Sequence, residues 1–432
     1  MARYLLAATP LPGHVLPMVE IGADLVARGH EVLLLTGLEY SSTAQRRGLA
    51  FAPLTDTARP QQPRGSKSPV GLIGQLRRGR AEIRTVYIDP LGAQCNDLRA
   101  ALNSWGGQVD AVLVDVAFTG ALALLLRSEA RPPVVVCGVS PLAVSSRDTA
   151  PFGMGRQPQV GVDHTRMNQV VHRVMFGDVQ TRFDTALRAA GARKSPVFLT
   201  DWPTLADRLL QLTVAEFDYP RSDLPSSVVF AGTLPSHAVD DRVMPVAVQE
   251  RIANARVVVH VTQGTWDNGD LTQLVAPTLA ALADRDDVYV VASTGGVPLP
   301  PEIVVPDNAF VGDYLPYPWL LPRIDLMVTN GGYGGVQYAL GNGVPLVVAG
   351  RTADKPEVAA RVAYTGVGID LATDHPSTND VRDAVDRILG DPGYASAASR
   401  MAALMAAADP FATIADVLAQ LAAGEPERTN RL

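Results

Sequence analysis

The chain has 432 residues, a net charge of −7 at neutral pH and a mean hydropathy of +0.11. This length exceeds one ordinary hydrophobic core, so we expect two domains of roughly 200 residues each. The acidic balance argues against an extended nucleic-acid surface, and no apolar run in the sequence reaches the roughly 18 residues of a membrane span. The N-terminus enters a strand pattern without the segments of a signal peptide, so we expect a cytoplasmic protein. Cys95 and Cys137 lack metal-ligand spacing and fit buried, reduced thiols.

Apolar strands alternate with helical patterns along the first half of the chain. We predict strands at residues 3–8, 31–36, 49–53, 111–114, 134–137 and 211–215. This alternation is typical of a parallel sheet covered by helices. Residues 1–216 are therefore predicted to form one α/β domain.

The second half of the chain follows the same plan. We predict strands at residues 256–262, 287–292, 308–311, 325–328, 345–348 and 367–370. Proline, serine and aspartate concentrate at residues 217–250, which we predict to be the linker. The second α/β domain should then span residues 251–410, followed by a C-terminal helical segment at residues 411–432.

The first βαβ unit spans residues 3–37 and contains the motif GHVLP. His14 of this motif lies in the turn after the first strand, at a helix start, where a side chain can face a cleft. Of the seven histidines it is the best placed for proton transfer at neutral pH. The alternative is a histidine that caps or packs against the helix, and His30 fits such a helix-end role.

A glycine-rich turn follows the predicted strand that begins at Asp325. The glycines at the start of the next helix are Gly331, Gly332, Gly334 and Gly335. Glycines let backbone N–H groups approach an anion closely, and the helix N-terminus adds partial positive charge. Asp354 and Lys355 come just beyond the following strand, at the sheet edge where open α/β folds bind ligands. Similar turns also serve dinucleotides or are only tight turns, so the turn alone does not decide the ligand.

The two motifs together resemble glycosyltransferase family 1, the nucleotide-sugar-dependent enzymes that modify natural products and xenobiotics. The family's donor box is HGGxGTxxEALxxGVPxxxxPxxxDQ, and this chain has NGGYGGVQYALGNGVPLVVAGRTADK. GHVLP is similar to the family's amino-terminal GHxxP signature. The resemblance implies a GT-B fold, an α/β architecture of two facing Rossmann-like domains with the active site in the cleft between them. It also implies that the helix at about residues 411–423 crosses back to the first domain.

The resemblance assigns His14 as the catalytic base and places Asp115, in the segment VLVDVAF, as the carboxylate that holds it. Asp115 would orient the imidazole and stabilise its protonated form. A carboxylate at the end of an apolar strand is alternatively a helix N-cap.

The resemblance also assigns the donor site. Backbone donors from the glycines, with the side chain of Asn330, would bind the diphosphate, and Asp354 would bind sugar hydroxyls. Gly264 and Thr265 lie in a turn similar to the family's turn beside the diphosphate. No metal or other cofactor is then expected, and the Asp-rich segment at residues 284–287 is predicted to be a surface loop.

Four positions depart from the donor-box pattern. Asn330 replaces the histidine, Gly335 the serine or threonine, Tyr338 the glutamate that commonly holds the ribose, and Lys355 the glutamine. Lys355 could restore a positive charge near the sugar or phosphate. Tyr338 weakens the case for UDP, which makes a dTDP-linked deoxysugar at least equally plausible.

In the family, variable loops line the acceptor site, corresponding here to about residues 56–90 and 140–180. Apolar candidates for contact with the acceptor are Phe118, Phe152, Met154 and Met175. Most such residues are ordinary core. The segment 56–69 is a candidate lid or partly disordered segment, and residues 151–155 a mobile loop.

We therefore predict an inverting, metal-independent glycosyltransferase that moves a sugar from a dTDP- or UDP-sugar to a hydroxyl of a small hydrophobic natural product. The altered donor box leaves a non-catalytic paralogue, which binds a nucleotide sugar or assists a partner enzyme, as an alternative. A nucleotide-sugar epimerase is a third hypothesis. The partners expected are an aglycone, a nucleotide sugar and a possible second copy in a homodimer.

Overall fold

The computed structural model of the chain describes residues 1–60, 72–106, 108–235, 242–265 and 267–424. Within these residues the first sheet has seven parallel strands in the order β3-β2-β1-β4-β5-β6-β7. These strands are β1 (Arg3–Ala7), β2 (Glu31–Thr36), β3 (Ala50–Pro53), β4 (Ala111–Asp115), β5 (Val134–Gly138), β6 (Arg208–Gln211) and β7 (Val228–Phe230). The helices of this part are α1 (Pro12–Ala27), α2 (Ser41–Arg46), α3 (Leu72–Ile83), α4 (Leu91–Ser104), α5 (Gly120–Leu125), α6 (Thr165–Val170) and α7 (Gly177–Ala189).

The second sheet has six parallel strands in the described residues, in the order β10-β9-β8-β11-β12-β13. They are β8 (Val257–Thr262), β9 (Val288–Ser293), β10 (Ala309–Gly312), β11 (Leu326–Thr329), β12 (Leu346–Val348) and β13 (Gly368–Asp370). The accompanying helices are α8 (Val246–Asn254), α9 (Val275–Leu282), α10 (Tyr317–Leu320), α11 (Tyr333–Gly341), α12 (Lys355–Tyr364), α13 (Thr378–Gly390), α14 (Pro392–Ala407) and α15 (Pro410–Ala422).

Each sheet is buried on both faces, which is why its strands are near-continuous apolar runs. Successive residues of β1 point to opposite faces, so Leu5 packs in one core cluster and Leu6 in another. Ile414 and Val417 of α15 pack in the same cluster as Leu6. The last helix therefore lies against the first domain, although the helices that precede it cover the second sheet.

The structure corrects two sequence predictions near the domain boundary. The strand predicted at residues 211–215 begins and ends earlier, at Arg208–Gln211. The segment 217–250 predicted as a linker contains β7, which pairs with β6 as the edge strand of the first sheet. Three half-buried residues after a proline- and serine-rich stretch gave too short a pattern to predict a strand.

Strand order reverses at one place in each sheet. β1 pairs with β2 on one side and β4 on the other, and β8 pairs with β9 and β11. At such a switch point the connections leave in opposite directions and open a crevice beyond the carboxyl ends of the strands. The predicted catalytic and donor-binding residues lie at or beyond the carboxyl ends of β1, β4, β8, β11 and β12.

In the described part of the chain, no single helix is long and apolar enough to cross a membrane, and α14 with α15 meets that criterion only as a bent pair.

Candidate active site

His14 and Asp115 meet in the crevice of the first sheet. His14 lies in the first turn of α1, which begins directly after β1, and Asp115 is the last residue of β4. The two strands are neighbours, so the side chains that follow them converge. His14 Nδ1 and Asp115 Oδ1 are 2.6 Å apart.

Asp115 is held by its surroundings as well as by His14. Its side chain is 0% exposed. Oδ2 accepts from the backbone N–H of Thr9 at 2.6 Å, and Oδ1 accepts from that of Ala117 at 2.8 Å. An ionised carboxylate can only accept, so Nδ1 of His14 is the donor and Nε2 remains available as a base. The alternative of a helix N-cap does not apply, because α5 begins only at Gly120 and has no side-chain cap.

Charges around His14 raise the pKa of its imidazole above the ordinary value of 6.5. Burial lowers the pKa, but the charge and hydrogen bond of Asp115 and the charge of Asp354 together outweigh it. The side chain of His14 is 19% exposed, which leaves the ring accessible from the cleft. A base beside two carboxylates is stabilised once it has taken up a proton.

Asp354 approaches His14 from the second domain. It is the N-cap residue of α12, yet its side chain makes no capping hydrogen bond. The preceding Ala353 has φ of 52°, an unfavourable conformation for a residue with a Cβ. Burial raises the pKa of Asp354, against the lowering effect of Lys355 and His14. The carboxylate thus does not cap its own helix, and its charge acts on His14.

Tyr87 is a neighbour of this group that the sequence did not indicate. Burial raises the pKa of its phenol, followed by the charges of Asp354 and Asp115. Tyr87 lies in a short π-helical turn, Arg84–Ile88, and its carbonyl accepts from Thr119 Oγ1 at 2.6 Å. No motif marks this residue, because its place follows from tertiary packing.

The glycine-rich turn forms the start of α11, as its position after β11 predicts. Gly331 has φ of 87°, and its N–H donates to Thr329 Oγ1. Gly332 is the N-cap, and Gly334 and Gly335 lie in the first turn, where helical N–H groups have no acceptor within the helix. A Cβ at Gly334 would meet no atom within 4 Å, so this N-terminus is open. It is the part of the donor box able to receive a phosphate.

Asn330 differs from its predicted role as a side-chain donor to phosphate. Its Nδ2 donates to the carbonyl of Gln263 at 2.5 Å and to that of Asp267 at 3.3 Å. Both amide hydrogens therefore join the turns after β8 and β11. Gly264 lies in the first of these turns with φ of 70°, and Thr265 is exposed beside it.

Lys355 is also paired, which the sequence did not indicate. Its ammonium group lies 3.2 Å from Asp267 Oδ2 and donates to Thr352 Oγ1 at 2.8 Å. The charge of Lys355 lowers the pKa of Asp267, although burial, the largest effect, opposes it. Lys355 thus brings no uncompensated charge to the site. Asp267 follows the Gly264-Thr265 turn, but no motif marks Asp267 itself, so only the fold reveals the pair.

Two residues considered for substrate contact pack in or against a core cluster. Phe118 is 0% exposed and belongs to the core of the first domain, which rules out the predicted acceptor contact in this structure. Tyr338 is partly buried and packs against the core cluster of α11. Phe152 is partly buried, whereas Met154 and Met175 are 38% and 36% exposed. In the predicted lid, residues 61–69 lie outside the described residues.

The Asp-rich segment at residues 284–287 has structural partners. Asp284 accepts from Arg382, and Arg285 pairs with Asp287 and Asp386. Among the residues that the structure describes, no group of three or more histidine, cysteine, aspartate or glutamate side chains is arranged to hold a metal ion.

The comparisons with known proteins cover nearly the whole chain. Residues 276–421 match the family model described as erythromycin biosynthesis protein CIII-like, C-terminal domain. The chain is 38% identical to 4'-demethylrebeccamycin synthase of Lentzea aerocolonigenes, over 96% of this chain and 99% of the relative. It is 33% identical to UDP-glycosyltransferase 2 of Phaeomoniella chlamydospora, over 98% of this chain and 96% of the relative.

Solved structures share the fold. The glycotransferase of kitacinnamycin has a TM-score of 0.74 at 22% identity, covering 97% of this chain and 99% of the other. The spinosyn rhamnosyltransferase SpnG complexed with thymidine diphosphate has a TM-score of 0.65 at 20% identity, covering 96% and 100%. The predicted GT-B fold is thereby confirmed. Because full-length relatives at these identities are glycosyltransferases, the chain belongs to glycosyltransferase family 1, as a nucleotide-sugar-dependent enzyme of the natural-product group.

Proposed function

We propose that the protein transfers a sugar from a dTDP- or UDP-sugar to a hydroxyl of a small hydrophobic natural product, with inversion at the anomeric carbon and without a metal ion. The observation that carries the proposal is the 2.6 Å contact of His14 with Asp115, set at the cleft whose other side presents Asp354. A base on one side and a sugar-binding carboxylate on the other suit a single displacement.

The acceptor step uses His14 Nε2. This atom takes the proton of the acceptor hydroxyl while the oxygen forms its bond to the anomeric carbon. Asp115 keeps Nδ1 as a donor and stabilises the imidazolium that forms. The raised pKa of His14 supports proton uptake, since the charges of Asp115 and Asp354 favour the protonated ring.

The leaving step uses the start of α11. The bond between the anomeric carbon and the diphosphate oxygen breaks, and its electron pair leaves with the diphosphate. Open backbone N–H groups at Gly334 and Gly335, with the helix dipole, would stabilise the charge. These groups supply the electrostatic role that a metal has in other transferases, which supports the metal-independent proposal.

The donor nucleotide is proposed from the altered box. Tyr338 offers no carboxylate to the ribose and packs on the core cluster of α11. A nucleotide without a 2′-hydroxyl therefore loses nothing at this position, so dTDP-sugars are donors at least as suitable as UDP-sugars. One relative is named a UDP-glycosyltransferase, and one solved structure of similar fold is a complex with thymidine diphosphate.

The acceptor is proposed to be hydrophobic because Met154 and Met175 expose apolar surface in the segment 140–180. The non-catalytic alternative has no support in the first domain, where His14 and Asp115 keep the geometry of a base and its holder.

The test is a transfer assay with UDP- and dTDP-sugars, with and without a panel of phenolic and alcoholic aglycones. We expect acceptor-dependent release of nucleoside diphosphate, a product mass increased by one sugar, and unchanged activity in EDTA. The anomeric proton coupling in the NMR spectrum of the product should show a β-glycoside from an α-linked donor. Retention, or loss in EDTA that magnesium restores, would contradict the mechanism, and sugar conversion without acceptor would indicate an epimerase.

A further inference from the structure

A loop of the first domain is held by a carboxylate of the second domain. The loop comprises residues 151–155, Pro-Phe-Gly-Met-Gly. The backbone N–H groups of Gly153 and Gly155 both donate to Glu357 Oε1, at 2.9 and 2.8 Å. Gln157 Nε2 adds a 3.5 Å contact to the carbonyl of Ala360. The 151–155 loop is therefore docked on the first turns of α12, although Gly153 and Glu357 are 204 positions apart.

Glu357 is buried and belongs to a network of charged side chains between the two domains. An acidic residue in the first turn complements the helix dipole from an exposed position. Glu357 is instead 5% exposed, and its second oxygen accepts from Arg361 Nη1 at 3.0 Å. Arg361 Nη2 and Arg221 Nη1 both donate to Asp218 Oδ1, at 2.9 and 3.0 Å. Two buried carboxylates and two buried guanidinium groups thus join the domains, and each loses its compensation if a partner is removed.

The contact between loop and helix also depends on a glycine. Gly155 has φ of 58°, and a Cβ at this residue would lie 2.9 Å from the carbonyl oxygen of Pro356. A side chain there would push the loop away from α12. The loop can therefore reach Glu357 only with a residue that lacks a Cβ.

The docked loop links the first domain, which is proposed to bind the acceptor, to the second domain, which is proposed to bind the donor. α12 begins at Lys355, directly after Asp354, whose charge acts on His14. Met154 lies between the two anchored glycines, and Phe152 directly precedes the first of them. The position of these apolar side chains is thus fixed relative to the helix that presents the sugar-binding carboxylate.

We propose that Glu357 is a positioning residue for the acceptor: it holds the 151–155 loop on α12 and thereby sets acceptor affinity without contacting either substrate. The inference rests on the proposed transfer function, because the loop is taken to border the acceptor. Glu357 holds the loop through two backbone hydrogen bonds to one carboxylate oxygen, so a glutamine at this position should keep part of the effect on the loop while losing the ion pair with Arg361.

The experiment compares Glu357→Ala, Glu357→Gln and Gly155→Ala in the full chain. Hydrogen exchange of the amides of residues 152–155 is measured with saturating UDP and with saturating dTDP, so this readout needs no turnover. Acceptor and donor KM are measured with the acceptor found in the transfer assay. Gly155→Ala leaves Glu357 and its partner Arg361 in place, so it tests the docking even if Glu357→Ala does not fold.

We expect Glu357→Ala and Gly155→Ala to accelerate loop exchange by about tenfold or more, the effect of losing charge-assisted hydrogen bonds. Acceptor KM should rise by a similar factor while donor KM stays within about twofold. Glu357→Gln should lie between wild type and Glu357→Ala, because its amide oxygen can still accept from Gly153 and Gly155 but its NH2 group cannot accept from Arg361. Glu302→Ala, at an exposed position, and Gly161→Ala, with φ of 78° and no atom within 4 Å of the new Cβ, are the controls.

Unchanged loop exchange, equal increases in both KM values, or a Glu357→Gln variant as impaired as Glu357→Ala would overturn the inference. In those cases the buried charges support only the stability of the interface. A transfer assay that fails with every acceptor would instead reject the proposed function, while the exchange measurement would still report on the docking.

Discussion

The crevices of the two sheets have the same topology but present different chemistry. In the first, a buried carboxylate with three hydrogen bonds holds an imidazole at the cleft. In the second, two polar side chains of the donor box already have partners within the domain: Asn330 donates to two backbone carbonyls, and Lys355 pairs with Asp267. What the second crevice leaves open is the backbone at the start of α11.

This difference explains why the two motifs depart unequally from the family pattern. A base needs one side chain with one partner, and GHVLP with Asp115 keeps both. An anion site built from N–H groups needs only the backbone path and tolerates changes around it. Substitutions of side chains should therefore impair the first crevice strongly, whereas diphosphate binding in the second should depend mainly on backbone N–H groups.

The largest effect should come from His14→Ala. Removing the base should lower turnover by about 10²–10⁴, while affinity for the nucleoside diphosphate stays near wild type. Steady-state kinetics and calorimetric titration measure the two quantities. The matched control is His30→Ala, because His30 packs against Tyr4 at the opposite end of the first sheet. Wild-type turnover of His14→Ala on a hydroxyl acceptor would remove His14 from the mechanism.

Asp115→Asn should also lower turnover and should change its pH dependence. The base works as neutral imidazole, so wild-type kcat/KM falls as pH drops through the raised pKa of His14. Without the charge of Asp115 the effect of burial is less opposed and this pKa falls, so the acidic limb should move to lower pH.

Asp286→Asn, at an exposed loop position, is the control for loss of a carboxylate. The His14→Ala/Asp115→Asn double variant should lose less than the sum of the two single losses in activation free energy, because the pair acts as a unit. Full additivity would show that the two residues act separately.

Asp354→Ala should have a smaller effect, confined to the sugar. Loss of a hydrogen bond to a sugar hydroxyl should cost about 1–3 kcal/mol in transition-state stabilisation if the hydroxyl is left buried. Binding of the free nucleoside diphosphate should stay nearly unchanged, with Asp383→Ala on the exposed face of α13 as the control. A comparable loss of diphosphate affinity would place Asp354 at the phosphate and contradict the assignment of phosphate binding to backbone groups.

The smallest effect concerns the nucleotide. Because Tyr338 lacks a carboxylate for the ribose, dTDP should bind at least as tightly as UDP in calorimetric titrations. Tyr338→Glu, which restores the family residue, should shift the preference towards UDP by up to about tenfold, the range of one hydrogen bond. Wild-type UDP binding about tenfold tighter than dTDP would contradict the dTDP-sugar proposal.

The sequence by itself determined the architecture and the location of both crevices. Continuous apolar strands alternating with helices specify parallel sheets, and residues that follow neighbouring strands must converge at one edge. His14, Asp115 and the glycines of α11 could be placed for this reason. The short edge strand β7 could not, since half-buried residues beside prolines carry little pattern.

Tertiary structure alone decided which polar groups are free. The amide of Asn330, the ammonium of Lys355 and the carboxylate of Glu357 each have a partner 63 or more positions away in the chain. The residue type shows whether a side chain can donate or accept a hydrogen bond. The bond forms only where folding brings a partner within reach. The same holds for Phe118, an apolar residue whose place in the core follows from packing and not from any motif.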